Sequence, residues 1–123
     1  MATEFFHKAE DNLNVARLCF DNGYYDACAN RAYYAALQAA VAALEDKGIK
    51  RERIDHKWVQ AEFSGKLIHS RKIYPIKLKA YLPDMQSVRN DADYSDEGVS
   101  KKDADRQLRK SEEFLKLIGK ELT

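Results

Sequence analysis

Apolar residues recur along most of the chain in alternating steps of three and four, the spacing that lines one face of an α-helix. The first series predicts a helix over residues 4–20, with Thr3 as its N-cap, through the positions Phe6, Ala9, Leu13, Ala16 and Phe20. After a turn at residues 21–23, an alanine-rich series predicts a second, central helix from Tyr24 to Lys47 that stops at Gly48.

A third helix is predicted in the middle of the chain, after a polar loop over residues 49–54. Asp55 is a suitable N-cap for it, and its apolar positions run as far as Leu67, with Gly65 leaving its end open. Residues 72–76 are apolar enough for a brief extended segment, although nothing along the chain has the alternation of a regular strand.

Two further helices are predicted toward the end of the chain. The first covers residues 76–94, where Pro83 either kinks the helix or marks its start. Ser100 and Asp103 resemble a capping box that opens the last helix. Four to five helices with short connections predict an all-α, antiparallel up-and-down bundle.

The length, charge and composition of the chain limit the classes of function that it can have. The chain has 123 residues, enough for one domain over residues 1–123, and its 21 basic and 20 acidic residues give no overall attraction to a polyanion. No apolar run is long enough for a membrane span and the first residues are charged, so we expect a cytoplasmic protein. Cys19 and Cys28 fit reduced core thiols, and neither a metal site nor a cofactor is expected.

Four segments together resemble the prokaryotic HEPN domain family. They are KAEDNLNVARLCF at residues 8–20, NGYYDACANRAYYAALQAAVAALEDKG at 22–48, VRNDADY at 88–94 and ADRQLRKSEEFLKLI at 104–118. The resemblance covers nearly the whole chain, and NRAYYAAL and VRNDADY in that order carry most of it. It implies a HEPN-like helical bundle that works as a homodimer.

The resemblance also implies a site. Catalytic HEPN domains carry an Arg, usually followed by a polar residue, with four to six residues between this Arg and a His, and two such motifs face each other across a dimer to cut RNA without metal. Arg89 and Asn90 match the first half, but residues 94–96 contain no histidine. Tyr94 is a poor replacement as a base, because a phenol with a pKa of about 10 is ionised to only about 0.1% at neutral pH.

The nucleotide- or RNA-binding residues implied by this match are Arg89, Asn90, Asp93, Tyr94 and Arg31, and the weak catalytic candidates are Arg89 and Tyr94. Each position also has a structural explanation. Arg31 could pair with a carboxylate of a neighbouring helix, and the rings of Tyr33 and Tyr34 could pack in the bundle. Arg89 and Asp93, four residues apart, could form an exposed ion pair that contributes only about 0.3–0.5 kcal/mol.

Two other groups of residues are weaker candidates. His56 or His69 could fold back toward Arg89, or a dimer could bring one of them from the other subunit. We expect both to be surface or capping residues instead, because nothing in their spacing places either near Arg89. A basic strip comprises Lys66, His69, Arg71, Lys72, Lys77 and Lys79. Tyr74 and Tyr81 lie between its members and could stack on bases, but a solvated face with buried rings is favoured slightly.

Three functional classes stay open. The first is a non-catalytic binding module for a nucleotide, RNA or a protein; the second is a ribonuclease with an atypical site; the third is a structural dimer.

The resemblance implies a minimal nucleotidyltransferase as partner, in a toxin-antitoxin or defence context, and such pairs can adenylylate a tyrosine near the Arg motif. Dimerisation is also expected, because one subunit cannot cover all of its apolar surface. That surface comes from the alanine-rich helix and from the aromatic residues Tyr24, Tyr25, Trp58 and Tyr81.

Overall fold

The computed structural model describes residues 2–122, which form five α-helices and one π-helical segment. The helices are α1 (Ala2–Asp21), α2 (Tyr25–Asp46), α3 (His56–Glu62), α4 (Leu78–Tyr94) and α5 (Lys101–Glu121), and the π-helical segment Phe63–Ser70 continues α3. The predicted all-α helical bundle is therefore confirmed.

Helix α2 forms the centre of the bundle, as its alanine content predicts. Helices α1, α3, α4 and α5 and the π-helical segment all pack against it. Eight of its alanines are buried: Ala29, Ala32, Ala35, Ala36, Ala39, Ala40, Ala42 and Ala43. Because a methyl group occupies little space, the neighbouring helices can approach the α2 backbone closely on several sides. Larger side chains from those neighbours, such as Phe63, Leu82 and Phe114, complete the core.

The predicted caps at the two ends of the chain have different outcomes. Thr3 was expected to cap α1, but the helix already begins at Ala2, so Thr3 lies inside its first turn. At α5 the expected cap is present, since the Ser100 hydroxyl accepts a 3.1 Å hydrogen bond from the backbone N–H of Asp103. Gly48, with a φ of +78°, takes the left-handed conformation after the end of α2.

Helix α3 begins as predicted and then changes its pitch. The Asp55 side chain caps it by accepting a 3.1 Å hydrogen bond from the backbone N–H of Trp58. The helix does not stop at Gly65 but widens into the π-helical segment, whose side chains Phe63, Leu67 and Ile68 are buried. No strand follows it within residues 2–122, so the extended segment considered for residues 72–76 is not part of a sheet.

Helix α4 begins at Leu78 and contains Pro83 in its interior, so this proline does not mark the helix start. The ring removes one backbone donor. Leu82 and Met85, on either side of the proline, are both buried against the core. Packing of this face against α2 accounts for a helix that continues through a proline.

Two further expectations concern the two cysteines and the possibility of a membrane-spanning helix. Cys28 is buried, Cys19 is half-buried, and both are free thiols; burial, followed by nearby Cys19 and Asp105, raises the pKa of Cys28 to about 11. Among residues 2–122 no helix is long and apolar enough to cross a membrane.

The aromatic surface that suggested a dimer is mostly covered within one subunit. Tyr25, Trp58 and Tyr81 are half-buried and pack on the core, and of these four residues Tyr24 alone is largely exposed, at 67%. The predicted excess of apolar surface is therefore wrong for three of the four aromatic residues.

Candidate anion-binding site

Helix α2 carries a polar face near its first turns that interrupts the buried alanines. Asn30, Arg31, Tyr34 and Gln38 lie at helical spacing on this side of α2. The guanidinium of Arg31 is held by amide oxygens: Nε and Nη2 donate to Asn30 Oδ1 at 3.0 and 2.6 Å, and Nη1 donates to Asn12 Oδ1 at 3.2 Å. Within residues 2–122 no carboxylate forms an ion pair with Arg31, so the predicted carboxylate partner is wrong.

Helix α1 supplies the other support for Arg31. The amide of Asn12 accepts from Arg31 and, through Nδ2, donates a 2.7 Å hydrogen bond to Gln38 Oε1. Each end of this amide is thereby fixed by a residue of α2. These hydrogen bonds position the guanidinium of Arg31 through neutral amide groups.

Helix α4 contributes the second guanidinium, that of Arg89. Its Nε lies 3.2 Å from Asp93 Oδ2, one turn along the helix, and its Nη1 donates a 3.2 Å hydrogen bond to Asn90 Oδ1. The side chain of Arg89 is 18% exposed, so this is a partly buried pair and not the exposed pair that spacing alone suggested. Its Nε is buried and makes no hydrogen bond, which leaves this donor unsatisfied.

The two guanidinium groups meet at one aromatic ring. The Cζ atoms of Arg31 and Arg89 each lie 5.3 Å from the centroid of the Tyr34 ring, a distance at which a cation is attracted to the π-electrons. Asn30 connects them a second time, because its Nδ2 donates a 3.3 Å hydrogen bond to Asp93 Oδ2. We call these five residues, Asn30, Arg31, Tyr34, Arg89 and Asp93, the Arg31–Arg89 cluster.

The cluster has more positive than negative charge. It holds two guanidinium groups, and within residues 2–122 Asp93 is the one carboxylate that pairs with either of them. The other polar partners of the two arginines are the neutral amides of Asn12, Asn30 and Asn90. A partly buried site of this kind attracts an anion, and the planar fork of a guanidinium matches the oxygens of a phosphate.

His56 lies beside the cluster, which the sequence did not predict. The imidazole packs edge-on against the Tyr34 ring, with 5.8 Å between centroids, and contacts the Tyr33 ring at 5.6 Å. Its Nδ1 is 3.0 Å from the hydroxyl of Tyr33, whose side chain is fully buried. His56 is the first residue of α3, so the cap at Asp55 also places the imidazole next to α2.

Burial and charge both act on the protonation of His56. Burial lowers its pKa, the positive charge of Arg89 lowers it further, and neighbouring Asp55 partly opposes them. The imidazole and the Arg89 guanidinium both contact the Tyr34 ring, which accounts for the influence of Arg89 on this pKa. His56 thus reaches the same ring as Arg89 from a different helix, whereas His69 is exposed on the basic strip.

The remaining predicted residues are less closely connected. Asn90 contacts Arg89, but Tyr94, at the end of α4, is 81% exposed and makes no hydrogen bond or ring contact within the described part of the chain. Tyr33 is buried and Tyr34 half-buried, as their packing role predicted.

The basic strip differs from what a single-strand binding surface needs. Tyr74 is buried, so its predicted stacking on a base is wrong. Tyr81 is half-buried against the core and donates its hydroxyl hydrogen to Glu113. Lys77 pairs with the same Glu113, and Lys66 lies 3.7 Å from Glu62, so carboxylates offset part of the charge of the strip.

Three residues of the site were missed from the sequence: Asn12, Asn30 and His56. A signal existed for Asn30, because Asn30 and Gln38 are the two amides of an alanine-rich helix and lie about two turns apart. Amides kept in a buried helix need partners, which points to a polar network. For Asn12 and His56 the contact depends on how three helices pack, and local spacing does not contain that information.

A cleft at another place on the chain has the wrong charge for an anion. This cleft of about 450 Å³ lies between the α1–α2 turn and the loop before α5, lined by Tyr24, Asp26, Glu97 and Val99 among others. It has two carboxylates and no Lys or Arg, so its charge opposes phosphate binding. Among the residues described, no group of three or more His, Cys, Asp or Glu side chains could hold a metal ion.

Comparison with known proteins identifies the family of the chain. No curated protein matches the chain. The family model described as the HEPN domain matches residues 2–122, which is nearly all of the sequence and includes every residue of the Arg31–Arg89 cluster. The chain belongs to the HEPN domain family.

Proposed function

We propose that this chain is a HEPN binding module whose Arg31–Arg89 cluster holds a phosphate group of a nucleotide or of RNA. The observation that carries the proposal is that two guanidinium groups contact the Tyr34 ring, whereas within residues 2–122 one carboxylate, Asp93, pairs with either of them. A bound phosphate would supply negative charge and acceptor oxygens to these two guanidinium groups.

The unused hydrogen-bond donors of Arg89 support the same function. Its buried Nε has no hydrogen-bond partner, and an unsatisfied guanidinium donor costs more than a satisfied one. A small rotation of the side chain toward a phosphate would satisfy this donor. Its Asp93 partner is also held by Asn30, so the carboxylate stays in place when the guanidinium turns.

The test is binding of a short, fluorescently labelled single-stranded RNA and of AMP, followed by anisotropy and by calorimetry. Arg31→Ala and Arg89→Ala should each weaken binding by about tenfold, because each removes a charge-assisted contact. Lys79→Ala is the matched control, since Lys79 is an exposed basic residue of the strip without an ion pair in the described chain. It should change affinity by less than about twofold.

Salt dependence provides a second criterion. The slope of log affinity against log salt should become shallower by about 0.7 for each phosphate contact removed from a single strand. Equal losses in the arginine variants and in Lys79→Ala would reveal diffuse attraction and contradict a defined site. If neither RNA nor AMP binds at low salt, the binding module is excluded and a structural dimer remains.

A second candidate function is a metal-independent ribonuclease, and the position of His56 favours it. The family motif histidine is absent after Arg89, yet an imidazole from α3 shares the Tyr34 ring with that guanidinium. RNA should then be cut in the presence of a chelator, and His56→Ala and Arg89→Ala should each abolish cutting. Intact RNA after prolonged incubation would leave the binding module as the function.

The proposed assembly is a homodimer, as is general for HEPN domains, with a minimal nucleotidyltransferase as partner. Light scattering should give the mass of a dimer, and a monomer mass throughout the micromolar range would contradict this. If the partner adenylylates this chain, Tyr94 is the candidate acceptor because its side chain is 81% exposed. Tyr94→Phe should then remove the modification detected by mass spectrometry, whereas Tyr24→Phe, at a 67% exposed tyrosine, should not.

A further inference from the structure

The phenol of Tyr33 connects His56 to the interior of the bundle. The Tyr33 side chain is fully buried, so its hydroxyl hydrogen needs an acceptor within the protein. Two groups lie within reach: His56 Nδ1 at 3.0 Å and Gln60 Nε2 at 3.4 Å. These two contacts decide where the hydrogen of the phenol points.

Gln60 acts as a donor toward the phenol. Its Nε2 donates one hydrogen to the Tyr33 oxygen and the other to Gln86 Oε1, at 2.9 Å, on α4. A carboxamide nitrogen has two hydrogens and no acceptor capacity, so it cannot receive the phenol hydrogen. Of the two neighbours, His56 Nδ1 is therefore the acceptor.

The phenol keeps its hydrogen at neutral pH. Burial raises the pKa of Tyr33 to about 12, even though the hydrogen bond from Gln60 and the charge of Arg89 act in the opposite direction. With Tyr33 donating to Nδ1, that nitrogen has no hydrogen of its own. A neutral imidazole then carries its hydrogen on Nε2.

The Nε2 atom remains available to a ligand. It makes no hydrogen bond within residues 2–122, and it is not among their buried unpartnered atoms. We infer that His56 is a ligand-binding residue of the Arg31–Arg89 cluster, and that it donates the Nε2 hydrogen of a neutral imidazole to the bound phosphate. This inference rests on the proposed function, adds a residue to its site, and assigns the ring the role of donor and not of base.

The groups around the ring favour the neutral form. From α2 it faces Tyr33 and Tyr34, from α4 it faces the positive charge of Arg89, and beside it in the chain stands Asp55. Protonating Nδ1 would set two hydrogens against each other in the contact with Tyr33 and add a second positive charge near Arg89. The carboxylate of Asp55 opposes this only in part, since it is engaged by the backbone N–H of Trp58.

A base at this position would need the opposite arrangement. Its Nε2 would have to carry a free electron pair, so the hydrogen would move to Nδ1 and the donation from Tyr33 would be lost. The fully buried phenol would then lack an acceptor. The tautomer of His56 therefore distinguishes two roles. Hydrogen on Nε2 fits a donor to phosphate, and hydrogen on Nδ1 fits the base of the ribonuclease considered above.

The tautomer can be measured directly by long-range ¹H–¹⁵N spectra of the full chain with ¹⁵N-labelled histidines. The chain has three histidines, and His56→Gln identifies the signals of His56 by their disappearance. We expect the pattern of a neutral ring with hydrogen on Nε2 at neutral pH. Tyr33→Phe should abolish that preference and raise the pKa of His56. An Nδ1–H tautomer or an imidazolium in the native chain would overturn the inference.

Binding of the short single-stranded RNA provides the second measurement. His56→Ala should weaken it about fivefold, because one hydrogen bond to a charged group is lost, whereas His56→Gln should stay within about twofold because its amide keeps a donor. Thermal melts of both variants show whether each is folded. Native affinity should vary little between about pH 7 and 8, because burial lowers the pKa of His56 below its ordinary value and keeps the donor mainly neutral there.

The outcomes separate the two proposals. If Arg89→Ala weakens RNA binding and His56→Ala does not, the inference fails and the proposed function stands. If neither substitution weakens RNA binding, the proposed function itself fails. The tautomer of His56 is measured in the unliganded protein and does not depend on that result. If RNA binding protonates His56 at neutral pH, the donor assignment is wrong and proton transfer by the ring is favoured.

Discussion

Two groups of basic side chains lie on this chain, and their surroundings differ. In the Arg31–Arg89 cluster two guanidinium groups are held mainly by amides and by an aromatic ring, with Asp93 as their one paired carboxylate within residues 2–122. In the basic strip, Lys66 and Lys77 pair with Glu62 and Glu113. The number of basic residues in a segment is therefore a poor guide to a binding site. The partners of those residues decide whether their charge is available.

The largest effect should come from adding a carboxylate to the cluster. Asn30→Asp places a second negative charge between Arg31 and Asp93, so that the two guanidinium groups are offset by two carboxylates. We expect RNA affinity to fall by more than about tenfold, measured by anisotropy. Ala80→Asp adds the same charge to the exposed surface of α4 near the strip and should have an effect below about twofold. Equal losses would remove the distinction between the two regions.

A smaller effect is expected from the ring that joins the guanidinium groups. Tyr34→Leu removes a cation–π contact with each arginine, and we expect RNA affinity to fall about fivefold as both side chains become more mobile. Tyr34→Phe is the matched control, because the Tyr34 hydroxyl makes no hydrogen bond within the residues described and the ring is retained. A loss in the Phe variant equal to that in the Leu variant would contradict the role of the ring.

The cluster should also make the stability of the chain sensitive to pH. The pKa of His56 is lowered in the folded chain by burial and by Arg89, so the unfolded chain binds more protons just below its own pKa of about 6.5. The free energy of unfolding should therefore decrease as the pH falls through this value.

Urea unfolding at about pH 7.5 and about pH 5.5 tests this dependence above the range in which most carboxylates titrate. His56→Gln should make the decrease smaller, whereas His69→Gln, at an exposed histidine of the basic strip, should leave it unchanged. A decrease that is the same in all three proteins would place its origin outside the cluster.

The smallest effect concerns the strip itself. Glu113 accepts hydrogen bonds from Lys77 and Tyr81, which lower its pKa and keep it charged. Glu113→Gln removes that charge, and RNA affinity should rise by about twofold at low salt and return to the native value at physiological salt. Glu112→Gln, on the same helix but paired with Arg17, is the control. A gain that persists at physiological salt would indicate a second defined site.

The sequence predicted the helices well because their apolar spacing is local information. The Asp55 and Ser100 caps were found for the same reason, since each depends on residues three positions apart. The continuation of α4 through Pro83 was left open because packing against α2 determines it. Arg31 and Arg89 were identified by their family motifs, but their shared ring was not. The approach of His56 to Arg89 depends on three helices together, and no spacing along one helix reveals it.

The small side chains of α2 have a consequence for how the site is assembled. Helix α1 lies against an alanine surface that offers almost no room for adjustment, and that same contact sets the separation between Asn12 and the guanidinium it holds. The interior of the bundle thus acts as a fixed spacer for a polar site at its margin. An Ala→Val change on the surface of α2 that contacts α1 would widen that gap and so weaken the hold of Asn12 on Arg31.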